Sequence, residues 1–364
     1  MMQEKKGMMK VWNMTLISAT FFLCIFGTFL TRSGVVSSVH AFSEGPIGKY
    51  FATFIAIGLA GTVYLILDRL DYLKSESQLE SVVSRESSFL FNNLILLASC
   101  FSVLWGTLFP IISEAVTNEK ISVGPPFFNK VNIPIGLFLL FLTGVGPLFA
   151  WRRTSTESLR RNFLWPGILS LALVAVLVAF RIWHFYALMC FMLCCFVGLT
   201  ILIEFYKGAR VIQTKGGGSL AGCLVELTHR NTRRYGGYII HMGIVFMFIG
   251  FAGQAFNTEV QDELAVGDTL KLGRYAFRLA DLKQENNSNY ASSVATIELT
   301  RGGKLLQNMR PEKRFYHASQ QPSSEVSIRP QWKEDVYVVY AGMSNDGQKP
   351  VIHAYLNPLV NWVW

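Results

Sequence analysis

The sequence predicts an all-α polytopic membrane protein, with about seven transmembrane helices and the start of an eighth, followed by a small antiparallel β domain. Three observations lead to this prediction. Only 16% of the 364 residues are charged, against about 25% in an average soluble domain. Apolar runs of about 18 to 20 residues recur, and each is long enough to cross a ~30 Å hydrocarbon core as a helix. After Gly253 the apolar runs stop and the chain becomes polar.

Seven apolar runs are predicted to span the membrane, so that residues 1–253 form a transmembrane helical domain. They are Val11–Leu30, Phe51–Leu67, Phe91–Phe109, Ile133–Ala150, Phe163–Phe180, Ala187–Phe205 and Tyr235–Gly253. No cleavable signal peptide is expected, because the first run has no small-residue cleavage site behind it and leads into further spans.

The basic residues between the spans predict the orientation of the chain. Sixteen lie on the side of the N-terminus: Lys5, Lys6, Lys10, Arg69, Lys74, Arg85, Arg152, Arg153, Arg160, Arg161, Lys207, Arg210, Lys215, Arg230, Arg233 and Arg234. Five lie on the other side: Arg32, Lys49, Lys120, Lys130 and Arg181. By the positive-inside rule the N-terminus is cytoplasmic, in a bacterial inner membrane. The net charge of +9 is therefore interpreted as a topology signal and not as a nucleic-acid-binding surface.

Residues 254–356 are predicted to form a periplasmic β-rich domain. Four segments alternate between apolar and polar residues: Tyr275–Leu279, Ala295–Leu299, Val336–Tyr340 and Val351–Leu356. Turn residues separate them, namely Gly267-Asp268, Gly302-Gly303 and Asn345-Asp346-Gly347. Period-two alternation between such turns is typical of antiparallel strands. Residues 357–364, which contain two tryptophans, are predicted to start a truncated last transmembrane helix.

The six cysteines do not form a redox or haem-attachment motif. They are Cys24, Cys100, Cys190, Cys194, Cys195 and Cys223. None of them forms C-x-x-C, so the sequence contains neither a dithiol motif nor the C-x-x-C-H of a c-type cytochrome. They are interpreted as small, buried apolar residues.

His241 is the strongest candidate for a functional residue, because it lies inside a predicted span. An ionisable side chain in the hydrocarbon region is costly and indicates a functional site by default. A neutral imidazole has one ring nitrogen free to ligate haem iron. Gly236, Gly237 and Gly243 would allow a flat ligand or another helix to approach closely. The alternative is a histidine that hydrogen-bonds a neighbouring helix or reaches the interface near Arg234, ~10 Å away.

His40 and Arg32 are a second candidate pair, on the periplasmic side by the predicted topology. His40 could ligate a haem at the membrane surface, and Arg32 could pair with a haem propionate. The alternative is an interfacial histidine beside a snorkelling arginine. The other histidines are interpreted as interface residues (His184 and His229) or as polar strand residues (His317 and His353).

Eight segments resemble, in order, segments of the CcmF family of bacterial cytochrome c maturation proteins. They are residues 12–42, Ser84–Asn93, Gly106–Pro110, Lys120–Asn129, the span around His241, Glu312–Tyr316, Glu325–Pro330 and Asn357–Trp362. The resemblance covers essentially the whole chain and corresponds to the C-terminal half of the family.

The resemblance implies a haem lyase that takes haem from a CcmE-like haem chaperone. It would attach the haem to the C-x-x-C-H motif of apocytochrome c, which CcmH-like and CcmI-like proteins deliver. His40 matches the family's periplasmic haem ligand, and His241 matches the axial ligand of a b-type haem within the membrane. Haem b is therefore the implied cofactor, with quinol as a possible electron source. No side chain is identified as an acid or base catalyst, because the cofactor and the thiols carry the reaction.

The sequence lacks two features of the family. The tryptophan-rich W-G-x-x-W-x-W-D segment is absent, as are the histidines that pair with His40 and His241 and that lie upstream in the family. We therefore expect the second half of a split lyase, which would need an N-terminal CcmF half as a partner, or a gene fragment.

Three alternatives stay open from the sequence. One is a relative dedicated to a particular cytochrome, such as a nitrite reductase haem lyase. Another is a transporter of haem or another substrate, for which Pro134, Gly144 and Pro147 hint at an interrupted helix, although no second half repeats them. The third is a scaffold without catalytic activity whose β domain docks apocytochrome. Haem content after purification would separate the scaffold from the other two.

Overall fold

The computed structural model describes residues 7–33, 47–74, 81–344 and 346–364. The chain divides into two compact units, Met1–Arg160 and Arg161–Trp364. Seven of the described helices are long and apolar enough to cross a membrane, in agreement with the predicted number. A ten-stranded antiparallel β domain follows the last of them, so the predicted fold class is confirmed.

The first unit consists of helices. They are α1 (Lys10–Arg32), α2 (Ile47–Asp68), the short α3 (Leu70–Leu73), α4 (Arg85–Thr117) and α5 (Pro125–Val145), which is followed by a 3-10 turn at Gly146–Leu148. α4 and α5 pack closely at Gly106, where a Cβ atom would lie 2.6 Å from the ring of Phe128. A polar contact joins the same two helices, because the Ser99 hydroxyl lies 3.0 Å from the Asn132 side-chain oxygen. Small residues and polar side chains of this kind are the usual contacts between membrane helices.

α4 begins at a well-defined cap. The Ser84 hydroxyl accepts a hydrogen bond from the Ser87 amide, and the Ser87 hydroxyl in turn accepts one from the Ser84 amide. The guanidinium of Arg85 donates to the carbonyl of Pro147. The main-chain amide of Arg85 donates to the carbonyl of Ala150 at 2.8 Å. These contacts satisfy donors that a helix N-terminus leaves without an intrahelical partner. They fix the start of α4 against the end of α5.

The second unit contains the remaining helices. They are α6 (Thr156–Ala179), whose first turn belongs to the first unit, α7 (Phe185–Gly216), α8 (Leu220–Arg230) and α9 (Thr232–Gly253). α7 is 32 residues long, whereas the predicted span covers only Ala187–Phe205. The helix continues because its backbone hydrogen bonds are internal to the segment and do not depend on the side chains being apolar. α4 likewise exceeds the predicted span and continues through Pro110.

The β domain is a sandwich of two antiparallel sheets. Sheet A has the order β1 (Thr258–Glu263), β10 (Pro350–Pro358), β9 (Glu334–Met343) and β8 (Ser327–Arg329). Sheet B has the order β2 (Thr269–Leu272), β3 (Tyr275–Asn286), β4 (Tyr290–Arg301), β6 (Glu312–Tyr316) and β7 (Gln321–Glu325), with β5 (Lys304–Met309) paired to β4. The four segments predicted from alternation lie within β3, β4, β9 and β10. The Gly302-Gly303 turn adopts positive φ at both residues, as a tight hairpin between β4 and β5 requires.

The core of the sandwich is formed by the inward-facing residues of both sheets. Phe277, Ile297 and Leu299 from sheet B and Val338 and Ile352 from sheet A are all fully buried. Burial of a large apolar side chain contributes about 1.5–3 kcal/mol, so this cluster accounts for the ordering of the domain.

The last residues pack on α9. Leu359 has a positive φ of 62°, and a 3-10 turn covers Val360–Trp362. The indole of Trp362 packs against the ring of Phe246 at 5.4 Å and donates to the carbonyl of Trp332. A Cβ atom on Gly253 would lie 2.1 Å from the carbonyl oxygen of Pro358, so a glycine is needed at this close approach. That this segment starts a further span stays a prediction.

Candidate functional site

The candidate site is built on the seam where α9 packs against α7. Two thiols on α7, four residues apart, donate hydrogen bonds to carbonyls of α9. The Cys190 thiol reaches Phe248 O at 3.3 Å, and the Cys194 thiol reaches Val245 O at 3.6 Å. Both cysteines are buried. The two bonds hold the second half of α9 in a defined position on α7.

His241 lies on the buried side of α9. It follows the buried Tyr238 by three residues and precedes the buried Val245 by four. Residues three and four apart share a face of a helix, so these three side chains form one stripe. The structure therefore places the predicted ligand on the packed side of its helix and one turn from the thiol of Cys194.

The imidazole of His241 has a buried ring nitrogen without a partner. Its Nδ1 atom is shielded from solvent and makes no hydrogen bond to any described residue. A buried polar group without a partner costs about 1–3 kcal/mol, and the cost persists unless something outside the described residues binds it. An imidazole nitrogen is the commonest protein ligand for metals. Other buried polar atoms also lack a hydrogen-bond partner among the described residues, such as Ser102 Oγ, Ser292 Oγ and Trp12 Nε1. An indole N–H only donates, and a hydroxyl is not a usual iron ligand.

The surface of α9 is open beside the glycines near His241. Gly237 precedes His241 by four residues and therefore lies one turn away on the same side of α9. A Cβ atom at Gly237 would meet no atom within 4 Å, and the same holds for Gly236 and Gly243. The glycines were predicted to permit a close approach to α9, and the geometry leaves that space open.

Aromatic contacts and one ion pair join the start of α9 to α7. Phe205 of α7 packs against Tyr235 at 5.1 Å and against Tyr238 at 6.2 Å. Arg234 donates to the carboxylate of Glu204, which is 14% exposed, at 2.7 Å. These contacts fix the first turns of α9 on α7, on the N-terminal side of His241.

The second predicted site is only partly described. Arg32 is the last residue of α1 and is exposed. His40 lies outside the described residues, so its geometry relative to Arg32 stays a prediction. Arg32 and His241 belong to different compact units.

The other histidines have ordinary surroundings. His184 precedes α7 and packs edge-on against Phe256 at 5.2 Å. His317 Nε2 lies 3.2 Å from the carbonyl of Asn287, and His353 lies in sheet A. His229 is in α8, an amphipathic helix that the sequence analysis did not predict. Within the described part of the chain, no three histidine, cysteine or acidic side chains are arranged to hold a metal ion.

Sequence reasoning did not find the two thiol contacts. The cysteines were interpreted as small apolar residues, which fits Cys190, Cys194 and Cys223 because they are buried, whereas Cys24 and Cys100 are exposed. The available signal was the spacing of four residues between Cys190 and Cys194, which places both on one side of a helix.

Seven apolar helices among the described residues, followed by a β-sandwich, define the class of multi-pass membrane proteins with an extramembrane β domain. Comparison with known proteins shows which family this chain resembles. The family model described as "CcmF C-terminal beta-sandwich" matches residues 255–358.

Related proteins match the whole chain. CcmF of Pseudomonas aeruginosa, a cytochrome c-type biogenesis protein, is 32% identical over 99% of this chain and 54% of its own length. The biogenesis protein ccl1 of Rhodobacter capsulatus is also 32% identical, with the same shares. The solved structure of "Cytochrome c Heme Lyase CcmF" covers 100% of this chain and 54% of its own, with 23% identity and a TM-score of 0.76. That structural match confirms the fold.

The comparisons therefore confirm the resemblance to the C-terminal half of CcmF cytochrome c-type biogenesis proteins that the sequence predicted. The chain spans about half the length of the curated relatives it matches. With its seven apolar helices and its bacterial relatives, it is a multi-pass inner-membrane protein.

Proposed function

We propose that this chain is the C-terminal part of a cytochrome c haem lyase, and that His241 supplies one axial ligand to a b-type haem within the membrane. The observation that carries the proposal is the buried Nδ1 of His241, which has no hydrogen-bond partner among the described residues. When bound, a b haem supplies a one-electron redox centre. The residues of this chain hold the imidazole in place: the Cys194 thiol fixes α9 one turn away, and the open surface at Gly237 leaves room for a flat ring.

The proposal extends to the outer side of the membrane. The count of basic residues supports a cytoplasmic N-terminus, which would place the β-sandwich in the periplasm. His40 is proposed to bind the substrate haem there, and Arg32 to pair with a propionate of that haem through charge-assisted hydrogen bonds. The proposed partners are a CcmE-like haem chaperone, apocytochrome c with CcmH-like and CcmI-like delivery proteins, and the N-terminal half of a CcmF protein. Quinol is the proposed electron source.

The test of the membrane ligand compares three histidine variants in the lyase assembled with its N-terminal half. His241→Ala should remove the b haem or leave it high-spin and loosely held, because it removes the imidazole that would ligate the iron. His184→Ala and His229→Ala should retain the low-spin spectrum, since both histidines lie at helix ends. The measurement is the reduced-minus-oxidised absorption spectrum of the purified complex. A normal low-spin spectrum in His241→Ala would refute the assignment.

The periplasmic site needs its own test. His40→Ala should abolish the assembly of c-type cytochromes in cells while the b haem of the purified complex remains in place, because the two haems use different ligands. Arg32→Gln should reduce assembly less than His40→Ala does, since it removes a propionate contact and not an iron ligand. Normal amounts of c-type cytochrome in His40→Ala cells would contradict the assignment.

A further inference from the structure

The outward-facing main-chain groups along one edge of sheet A have no partner strand among the described strands. β1 is the terminal strand of that sheet and pairs only with β10 among the described strands. The amide of Leu264 donates to the carbonyl of Pro350, which continues the same register. Antiparallel pairs alternate between residues that bond to the partner and residues that point away, so Thr258, Val260 and Asp262 bond to β10. The N–H and C=O groups of Glu259, Gln261 and Glu263 therefore point to the open edge.

The open edge offers donors as well as acceptors. The amide of Glu263 is held locally by the Asp262 carboxylate at 2.9 Å. The amides of Glu259 and Gln261 have no hydrogen-bond partner among the described residues. Every residue of β1 except Val260 is exposed. A row of unpaired main-chain groups of this kind is a template for another strand.

The other edge strands among the described strands are protected and β1 is not. β8 is three residues long and is followed by Pro330, while β7 contains Pro322. β2 is four residues long and contains Lys271, and β5, which pairs only with β4, contains Lys304. Short strands, prolines and lysines are the usual protections against pairing with another chain. β1 is six residues long and contains neither proline nor lysine, so it is the edge best suited to accept a further strand.

The charges beside the edge select the strand that can pair. Val260 packs on the sandwich core, so Glu259, Gln261 and Glu263 project from the outer surface of sheet A. The register places Glu259 beside Tyr355 and Gln261 beside His353. The Glu259 carboxylate is 64% exposed and lies 3.3 Å from His353 Nε2. An added strand would therefore meet two carboxylates four residues apart and an adjacent aromatic surface.

We infer that β1 is a docking edge for an extended segment of a partner protein that carries two basic residues four positions apart. Opposite charges on neighbouring strands stabilise pairing and like charges destabilise it. Two copies of β1 paired antiparallel would place Glu259 opposite Glu263, so the edge disfavours a second copy of this chain. An anionic membrane surface would be repelled as well. The inference does not depend on the proposed haem sites, because it rests on sheet A alone.

The experiment uses the whole chain in neutral-lipid nanodiscs and fluorescent twelve-residue peptides rich in Thr, Val and Tyr. One peptide carries two lysines four residues apart, a second carries glutamates at those positions, and a third is the lysine peptide with alternate backbone amides N-methylated. The lysine peptide should bind more tightly than the glutamate peptide by tenfold or more, and N-methylation should abolish binding. Deuterium exchange in residues 258–263 should slow when the lysine peptide binds, because the amides of Glu259 and Gln261 become bonded.

Variants separate the edge from general electrostatic attraction. Glu259→Gln with Glu263→Gln should weaken binding of the lysine peptide by about 2- to 30-fold, since each cross-strand charge pair contributes ~0.2–1 kcal/mol. The matched control is Asp281→Asn with Glu285→Gln, which removes two exposed acids from β3 of sheet B and should leave the affinity unchanged. Equal binding of the lysine and glutamate peptides, equal binding of the N-methylated peptide, or an equal loss in the control variant would overturn the inference. Self-association of the chain through residues 258–263 would overturn it too.

Discussion

His241→Leu should stabilise the haem-free protein, although it removes the proposed ligand. The substitution exchanges an imidazole with a buried, unpartnered Nδ1 for an apolar side chain of similar size. An unsatisfied buried polar group costs about 1–3 kcal/mol. Polar contacts between membrane helices contribute less than this on average, ~0.6 kcal/mol, because the unfolded chain also finds partners in the membrane. We therefore expect the free energy of unfolding to rise by about 1 kcal/mol.

The assay is reversible unfolding of the haem-free protein in detergent micelles by sodium dodecyl sulfate, followed by tryptophan fluorescence at pH 8. The control is Met242→Leu at the neighbouring half-buried position, where an exchange of one apolar side chain for another should change stability by less than about 1.5 kcal/mol in either direction. In the haem-loaded lyase the parent protein should be more stable than His241→Leu, because a ligand that binds only the folded state stabilises that state. Lower stability of haem-free His241→Leu than of the parent would show that Nδ1 already has a partner and would refute the reasoning.

Three further predictions concern the sandwich and its junction with α9. Phe277→Ala should lower the stability of the sandwich by about 3–5 kcal/mol, as measured by denaturant unfolding, because the ring is fully buried. Gly253→Ala should increase proteolysis between α9 and β1, because its Cβ would lie 2.1 Å from a carbonyl oxygen at the end of β10. The Ser344 hydroxyl donates to the Asp346 carboxylate and lowers its pKa, so Ser344→Ala should raise that pKa toward its ordinary value in an NMR titration. A lowered pKa stabilises the folded state above the ordinary pKa, and this contribution disappears as the pH falls through the folded value, so the parent should lose more stability in acid than the variant.

Each of these has a control or a contrary outcome. Phe315→Ala removes a ring that is 42% exposed and should cost far less than Phe277→Ala. Gly243→Ala introduces a Cβ that meets no atom within 4 Å and should leave proteolysis unchanged. If the titration of Asp346 were the same in Ser344→Ala as in the parent, the hydroxyl would not be the cause of the lowered pKa.

The number of spans and the strand pattern could be predicted because both follow from local periodicity. Apolar runs of membrane length identify the spans, and alternation identifies β3, β4, β9 and β10. The polar ends of α4 and α7 could not be predicted in this way, because a helix that leaves the membrane keeps its backbone hydrogen bonds while its hydropathy changes. β1 was also missed, since Thr258–Glu263 contains one apolar residue and acquires its strand conformation from pairing with β10.

The position of the candidate site could be predicted from the sequence, but the contacts of its side chains could not. A histidine within an apolar run marks His241 as unusual from the sequence alone. Whether its ring nitrogens are satisfied depends on the side chains that α7 presents, more than forty residues earlier in the chain. The same limit applies to Cys190 and Cys194, whose partners are carbonyls of α9 and carry no signal in the sequence.

The polar groups of the α7–α9 seam can be distinguished by their partners. The Thr200 hydroxyl donates to the carbonyl of Val197 within its own helix, and the Cys194 thiol donates across the seam to Val245 O. Glu204 is paired with Arg234. In each of these contacts the polar group is satisfied by another group of the same chain, so a structural role is sufficient to explain it. His241 lies in the same seam with a buried Nδ1 that has no hydrogen-bond partner among the described residues, so its burial costs stability. Because selection for stability alone would favour an apolar residue there, the unpartnered imidazole is the observation that supports the proposed ligand at this seam.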